Sequence, residues 1–137
     1  MPLRIELAPN ERVIIGGVSL RNGPRRAEFV VETQTTILRQ RDIITESQAD
    51  TPAKRLYLTL ETAYLSHDKA PAEAVFMAQA NEMMRIRPDV APAIADIFEC
   101  LLGGDYYRAL KRAKQLVAGE AEIVARSVVS AELKAAI

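Results

Sequence analysis

The chain has 137 residues, of which 49% are hydrophobic and 26% charged, with 18 Lys+Arg against 18 Asp+Glu. This composition is typical of a folded globular protein and excludes a disordered chain, which needs fewer apolar residues and more net charge. Since the net charge is zero, total charge does not indicate a nucleic-acid partner, and any basic patch must be local.

The chain begins with a strand pattern. Leu3, Ile5 and Leu7 alternate with charged residues, which is the period-two pattern of a half-buried strand. Residues 12–20 are rich in Val and Ile and are interrupted by Gly16-Gly17, which suggests a bulge, a tight turn or a close approach of the backbone.

The next segment contains the strongest local turn signal. Residues 21–24 read Arg-Asn-Gly-Pro. Asn and Gly tolerate a positive φ and Pro ends regular pairing, so the segment is interpreted as the tip of a hairpin. The returning strand is predicted at about residues 26–32, and another short strand at 35–39.

The hydrophobic period then changes to that of helices. Residues 41–48 predict a short helix, and Thr51-Pro52 is a favourable helix start, with an N-cap before a proline. Later helices are expected from Pro71 to before Pro88, from Val90 to Gly103-Gly104, from Asp105 to Gly119, and from Glu120 toward the C-terminus.

The sequence therefore predicts an α+β fold. A small antiparallel β-sheet or partial barrel is expected in residues 1–40, followed by a bundle of four to five helices in residues 41–137, the two regions forming one compact unit. Short strands leave open edges, and the helix after Thr51 is apolar on more than one face, so a homodimer is expected.

Nothing in the sequence indicates a catalytic site or a metal site. His67 and Cys100, single residues of their types, lie far from ligand spacing, and there is no nucleophile motif. We expect no enzyme, no metal and no cofactor. The start of the chain lacks a signal peptide and no stretch is long enough for a membrane span, so a cytoplasmic protein without a membrane partner is expected.

Arginines are concentrated in the β-rich region, where they suggest an RNA contact because guanidinium groups match phosphate oxygens. The candidate RNA-binding residues are Arg12, Arg21, Arg25, Arg26, Arg39 and Arg41. An ordinary solvated loop is the competing interpretation, and no aromatic residue interleaves these arginines. A second basic cluster, Arg108, Lys111, Arg112 and Lys114, is interpreted as a solvated helix face.

These segments resemble the FlbT family, the flagellum-biosynthesis repressors of alpha-proteobacteria. The resemblance covers the whole chain and is most specific over residues 2–57. It is carried by residues 2–7 (PLRIEL), 9–17 (PNERVIIGG), 21–23 (RNG), 25–29 (RRAEF), 37–39 (ILR), 49–52 (ADTP), 54–57 (KRLY) and 105–110 (DYYRAL).

The resemblance implies a post-transcriptional regulator that acts on the 5′ untranslated region of flagellin mRNA to reduce translation or promote decay. It also implies action together with a small partner, FlaF, which works in the opposite sense. Some members of the family activate instead of repressing, so the sign of the regulation stays open. Two interpretations stay open: direct RNA binding through the arginines, or a protein-interaction module for FlaF or flagellin with an indirect effect on mRNA.

Overall fold

A computed structural model describes the backbone of residues 2–136 and the side chains of residues 2–123. The chain forms two compact units. The β-rich unit comprises Met1–Ile43 with Leu65–His67, and the helical unit comprises Ile44–Tyr64 with Asp68–Ile137. The predicted α+β class, with antiparallel strands before helices, is confirmed.

The β-rich unit contains two small antiparallel sheets. In one, β1 pairs with β4, and in the other β2 lies between β3 and β5. The strands are β1 (Leu3–Leu7), β2 (Arg12–Ile15), β3 (Val18–Arg21), β4 (Ala27–Val31) and β5 (Ile37–Arg39). The strands predicted from the sequence are thus present, divided between a two-stranded and a three-stranded sheet.

Both sheets contribute side chains to one apolar core. Ile5 and Leu7 from β1 and Val13 from β2 are almost completely buried. Partly buried residues of β2, β4 and β5 pack around them, namely Ile15, Phe29, Val31 and Ile37. The alternation noted in β1 therefore separates the core face from a charged outer face.

The predicted hairpin tip at residues 21–24 is wrong. The tip lies at Gly16-Gly17, where both glycines have positive φ (57° and 82°) between the paired residues Ile15 and Val18. Glycine adopts this left-handed turn conformation without the Cβ clash of other residues. Gly23 does not have a positive φ, and β3 and β4 belong to different sheets.

Residues 22–26 instead connect the two sheets, and Asn22 fixes their path. Its side-chain amide donates to the carbonyl oxygens of Ala8 (2.9 Å) and Arg25 (2.8 Å). Its carbonyl oxygen accepts from the Gly23 N–H (2.9 Å), and the Gly23 carbonyl accepts from the Asn10 N–H (2.9 Å). The Arg-Asn-Gly signal thus marks a real turn, but between sheets.

Over its described residues, the helical unit contains four α-helices. They are α1 (Pro52–Leu65), α2 (Ala70–Ile86), α3 (Ala91–Leu102) and α4 (Tyr106–Ala136). Their starts follow the predicted signals, because Thr51 Oγ1 accepts from the Lys54 N–H (3.2 Å) and Asp105 Oδ1 accepts from the Arg108 N–H (3.0 Å). After α3, Gly104 takes a positive φ of 76°, as expected of a glycine that ends a helix.

Two helix predictions fail. Gly119 does not end α4, which runs on to Ala136, so the fourth and fifth predicted helices are one. A glycine inside a helix costs only about 1 kcal/mol, and good helix formers flank this one without a proline or cap. The predicted helix at 41–48 is only a 3-10 turn, Gln40–Asp42, followed by turns.

The core of the helical unit is drawn from all four helices. Its fully buried large side chains include Leu56 and Leu60 of α1, Phe76 of α2 and Ile97 of α3. Ala109, Leu110 and Ala113 are buried on α4, which packs along α3. Among the described residues, no helix combines the length and the apolar character needed to cross a membrane.

Candidate nucleic-acid interface

The six arginines singled out from the sequence all lie in the β-rich unit. Arg12, Arg21 and Arg39 are on strands of the three-stranded sheet, Arg25 and Arg26 are in the connection between the sheets, and Arg41 is in the 3-10 turn. Their neighbours divide them into two groups that differ in charge compensation.

Three of the six pair with carboxylates. Arg26 Nη2 lies 3.0 Å from Glu6 Oε2, and Arg39 Nη2 lies 3.6 Å from Glu11 Oε2 and also donates to the Glu6 carbonyl oxygen. Arg41 Nε is 3.9 Å from the buried Asp42 carboxylate. The positive charges of these three arginines are largely compensated within the protein, so they attract a phosphate group less strongly.

The other three arginines, Arg12, Arg21 and Arg25, pair with no acidic side chain in the described part of the chain. Arg12 and Arg21 are directly opposite each other on β2 and β3. Within the described residues their guanidinium groups bond neutral acceptors: Arg12 Nη2 donates to Ser19 Oγ (3.3 Å) and Arg21 Nη1 to the Asn10 carbonyl (3.0 Å).

This trio, Arg12, Arg21 and Arg25, forms the candidate nucleic-acid interface. Like charges opposite each other in a sheet repel, so an anion that binds between Arg12 and Arg21 reduces this repulsion. Arg25 follows Arg21 closely, and Asn22 holds its carbonyl, so the connection presents it on ordered backbone. Arg21 and Arg25 are exposed and Arg12 is half-buried, which leaves the trio accessible to a phosphate backbone.

A second surface feature lies in the helical unit. A cleft of about 690 Å³ is lined by residues of all four helices. Its wall is mostly apolar and includes Met83, Val90, Leu116 and the exposed Ile86, whose side chain is 61% accessible. A volume of this size lies in the range of binding sites for small ligands or a few side chains.

Charged residues at the cleft are largely paired with one another. Arg112 Nε lies 3.1 Å from Asp96, and Arg87 Nη2 lies 2.6 Å from Asp89, where the arginine hydrogen bond lowers the pKa of that carboxyl. Gln79 Oε1 is a buried oxygen for which the described residues supply no hydrogen-bond donor. The cleft therefore offers apolar contact and a polar anchor rather than a net charge.

Sequence reasoning did not find this cleft. Of the residues that line it, Arg112 belongs to the basic cluster that the sequence predicts to be a solvated helix face. Arg112 instead bonds Asp96 on the neighbouring helix α3. Helical periodicity indicates which face is apolar, but it cannot tell a filled core from an open cleft, because that depends on how the helices pack.

Comparison with known proteins gives one consistent result. The family model described as "Flagellar protein FlbT" matches residues 3–124. A relative from Rhodopseudomonas palustris, named "Probable flagellum biosynthesis repressor protein FlbT", is 33% identical over 126 residues, which are 92% of this chain and 100% of the relative.

Two further relatives extend the comparison. "Probable flagellum biosynthesis repressor protein FlbT 1" of Bradyrhizobium diazoefficiens is 36% identical, over 90% of this chain and 85% of the relative. "Flagellum biosynthesis repressor protein FlbT" of Caulobacter vibrioides is 32% identical, over 89% of each chain. No solved structure matches the chain.

Proposed function

The chain belongs to the FlbT family of flagellar proteins, and on that premise we propose that it is a post-transcriptional repressor of flagellin synthesis. It binds the 5′ untranslated region of flagellin mRNA and reduces translation or promotes decay. Its relatives are named as repressors of flagellum biosynthesis, which supports a regulatory role.

The observation that carries direct RNA contact is the trio Arg12, Arg21 and Arg25. These are the arginines of the candidate set that have no described carboxylate partner, and two of them are opposite each other across β2 and β3. Phosphate binding releases counterions, which supplies most of the affinity of such a patch. The β-rich segment of residues 1–43 contains seven arginines and five acidic residues, so the attraction is local.

The function is tested by cell-free translation of a reporter mRNA carrying the flagellin leader. Added protein should lower reporter synthesis, and it should leave unchanged a matched reporter whose leader has a scrambled sequence. A variant with Arg12, Arg21 and Arg25 replaced by Ala should lose most of the repression. Equal output with and without the wild-type protein would reject the proposal.

A second candidate function is favoured by the cleft of the helical unit. Here the protein is an interaction module that holds an apolar segment of FlaF or of flagellin, and it affects the mRNA indirectly. The exposed Ile86 and the apolar wall fit a peptide that inserts apolar side chains. The Gln79 oxygen, which has no hydrogen-bond donor among the described side chains, fits a single donor on the same peptide.

The two functions are separated by an Ile86→Glu variant, with Val75→Glu as its control on the same helix. Val75 is 49% exposed and does not line the cleft. If the cleft holds a partner, Ile86→Glu abolishes the binding of purified FlaF or flagellin while Val75→Glu retains it. Loss of leader repression in Ile86→Glu alone, with the arginine variant active, would favour this second function.

A further inference from the structure

The first turns of α4 carry an exposed aromatic residue beside several cations. Tyr106 is buried, but Tyr107 is 43% exposed, and its ring centroid lies 6.0 Å from that of Tyr64 at an angle of 48°. Lys111 Nζ lies 5.0 Å from the Tyr107 centroid. All of these residues belong to the helical unit.

Cations dominate this part of α4. Residues 105–115 contain four, at Arg108, Lys111, Arg112 and Lys114, and one acidic residue, Asp105. The Asp105 carboxylate caps the helix by accepting from the Arg108 N–H, and Arg112 is turned to Asp96. Arg108 and Lys114 are exposed, and no acidic side chain in the described part of the chain pairs with Arg108.

Helical spacing brings the aromatic and the cations to one face. Tyr107, Lys111 and Lys114 are separated by four and three residues, so they share a face along about 10 Å of helix. A surface that binds only acidic protein segments needs charge alone. Exposed π faces next to cations are instead the combination with which proteins hold single-stranded nucleic acid, stacking a base and neutralising its phosphates.

We propose that this face, comprising Tyr107, Lys111, Lys114 and Arg108 and here called the α4 platform, is an RNA subsite that stacks one unpaired base on Tyr107. The flanking phosphates contact the lysines and Arg108. In the free protein the ammonium group of Lys111 lies over the Tyr107 ring and keeps the two side chains together. When RNA binds, this ammonium group turns to a phosphate. The inference rests on the proposed function, since it takes the same RNA as its ligand.

The test uses the intrinsic fluorescence of tyrosine together with binding affinity. The chain has no Trp and four Tyr, of which Tyr57 and Tyr106 are buried. Base stacking on Tyr107 should therefore quench emission when single-stranded flagellin leader RNA is titrated into the full chain. Tyr107→Leu keeps apolar area without a π face, whereas Tyr107→Phe keeps the π face.

Tyr107→Leu should weaken leader binding about ten-fold, within the range for one lost base stack, while Tyr107→Phe stays close to the wild-type affinity. Replacing Lys111 and Lys114 by Gln should lower the salt dependence of log K by about 0.7 for each lost contact. The thermal midpoint of each variant is recorded, and the lysine variant keeps the test valid if Tyr107→Leu fails to fold.

Each outcome has a separate meaning. If the wild type binds leader RNA and Tyr107→Leu and the lysine variant bind it equally well, the α4 platform is not a subsite, and the proposed function stands. If the wild type binds no RNA, the proposed function fails and the subsite with it. Polyglutamate and a competitor RNA of equal charge can each be added to the complex with the leader. If polyglutamate displaces the leader as effectively as the competitor RNA does, the platform recognises charge alone and the stacking proposal is wrong.

Discussion

Glu61 is a buried carboxylate in the middle of α1. Its side chain is 5% exposed, and its Oε1 accepts a hydrogen bond from the Ile44 N–H at 3.0 Å. Burial raises the pKa of Glu61 to about 7 from an ordinary value of 4.5, and the hydrogen bond from Ile44 opposes this only in part. The pKa of Glu61 is therefore higher in the folded protein than in the unfolded chain.

This shift predicts how stability depends on pH. Between pH 4.5 and about 7 the folded state binds more protons at Glu61 than the unfolded state, so this residue's contribution to stability falls as the pH rises and levels off above that range. Glu61→Gln keeps an acceptor for the Ile44 N–H and removes the titration. Thermal midpoints across this interval should decline less in Glu61→Gln than in the wild type, and parallel curves would contradict the assignment.

The arginines illustrate what single residues reveal in sequence and what they do not. The sequence identified the arginine-rich β region, but it treated six residues alike. Asp42 is next to Arg41, but the other two partners are distant along the chain, since Glu6 pairs with Arg26 and Glu11 with Arg39. The antiparallel register brings these two distant pairs together, and single-sequence patterns do not specify the register between strands.

At the scale of elements, helix boundaries with local signals were predictable. Thr51 and Asp105 cap helices through contacts three residues away, and Gly104 ends α3 through its own positive φ. The β connections were less predictable, because two glycine-containing segments compete for the hairpin turn. Gly16-Gly17 forms the hairpin turn. The segment that contains Gly23 connects the two sheets instead, and hydrogen bonds from the Asn22 side chain hold it there.

The hairpin between β2 and β3 gives a matched test of this assignment. Gly17→Ala should destabilise the protein by about 1–2 kcal/mol, because φ is 82° there and nothing lies within 4 Å of the added Cβ, so the cost is backbone strain alone. Gly23→Ala, with ordinary φ and equally open space, should change the stability by less than about 0.5 kcal/mol. Chemical denaturation measures the free energy of unfolding of both variants. A larger loss in the Gly23 variant than in the Gly17 variant would support a hairpin turn at residues 21–24 instead.

At the scale of the whole molecule, we propose that the protein is a homodimer that pairs through β3. This strand is exposed along its length and pairs only with β2 within the described chain. Val18 and Leu20 lie opposite the partly buried Ile15 and the core residue Val13, yet they are 57% and 45% exposed. An open edge with apolar side chains is usually covered.

Light scattering tests this proposal. The wild type should have the mass of a dimer at micromolar concentration, and the double variant Val18→Lys, Leu20→Lys should be a monomer, because charges on an edge strand oppose pairing. Val75→Lys, which changes an exposed residue of α2, should stay dimeric. A monomeric wild type would rule the dimer out, and a dimeric double variant would place the interface elsewhere.

The central claim is that three arginines without carboxylate partners bind the flagellin leader directly, and a salt titration of leader affinity tests it. Replacing Arg12, Arg21 and Arg25 by Ala should weaken binding and lower the slope of log K against log salt by about 2, since each phosphate contact contributes about 0.7 for a single strand. The control variant replaces Arg4, Arg26 and Arg41, which changes the net charge equally but removes arginines paired with Glu28, Glu6 and Asp42.

The control variant should keep a slope close to that of the wild type. Equal slopes and affinities for the wild type and the variant of Arg12, Arg21 and Arg25 would contradict the claim. So would an equal loss in both variants, because the leader would then sense net charge rather than these three side chains.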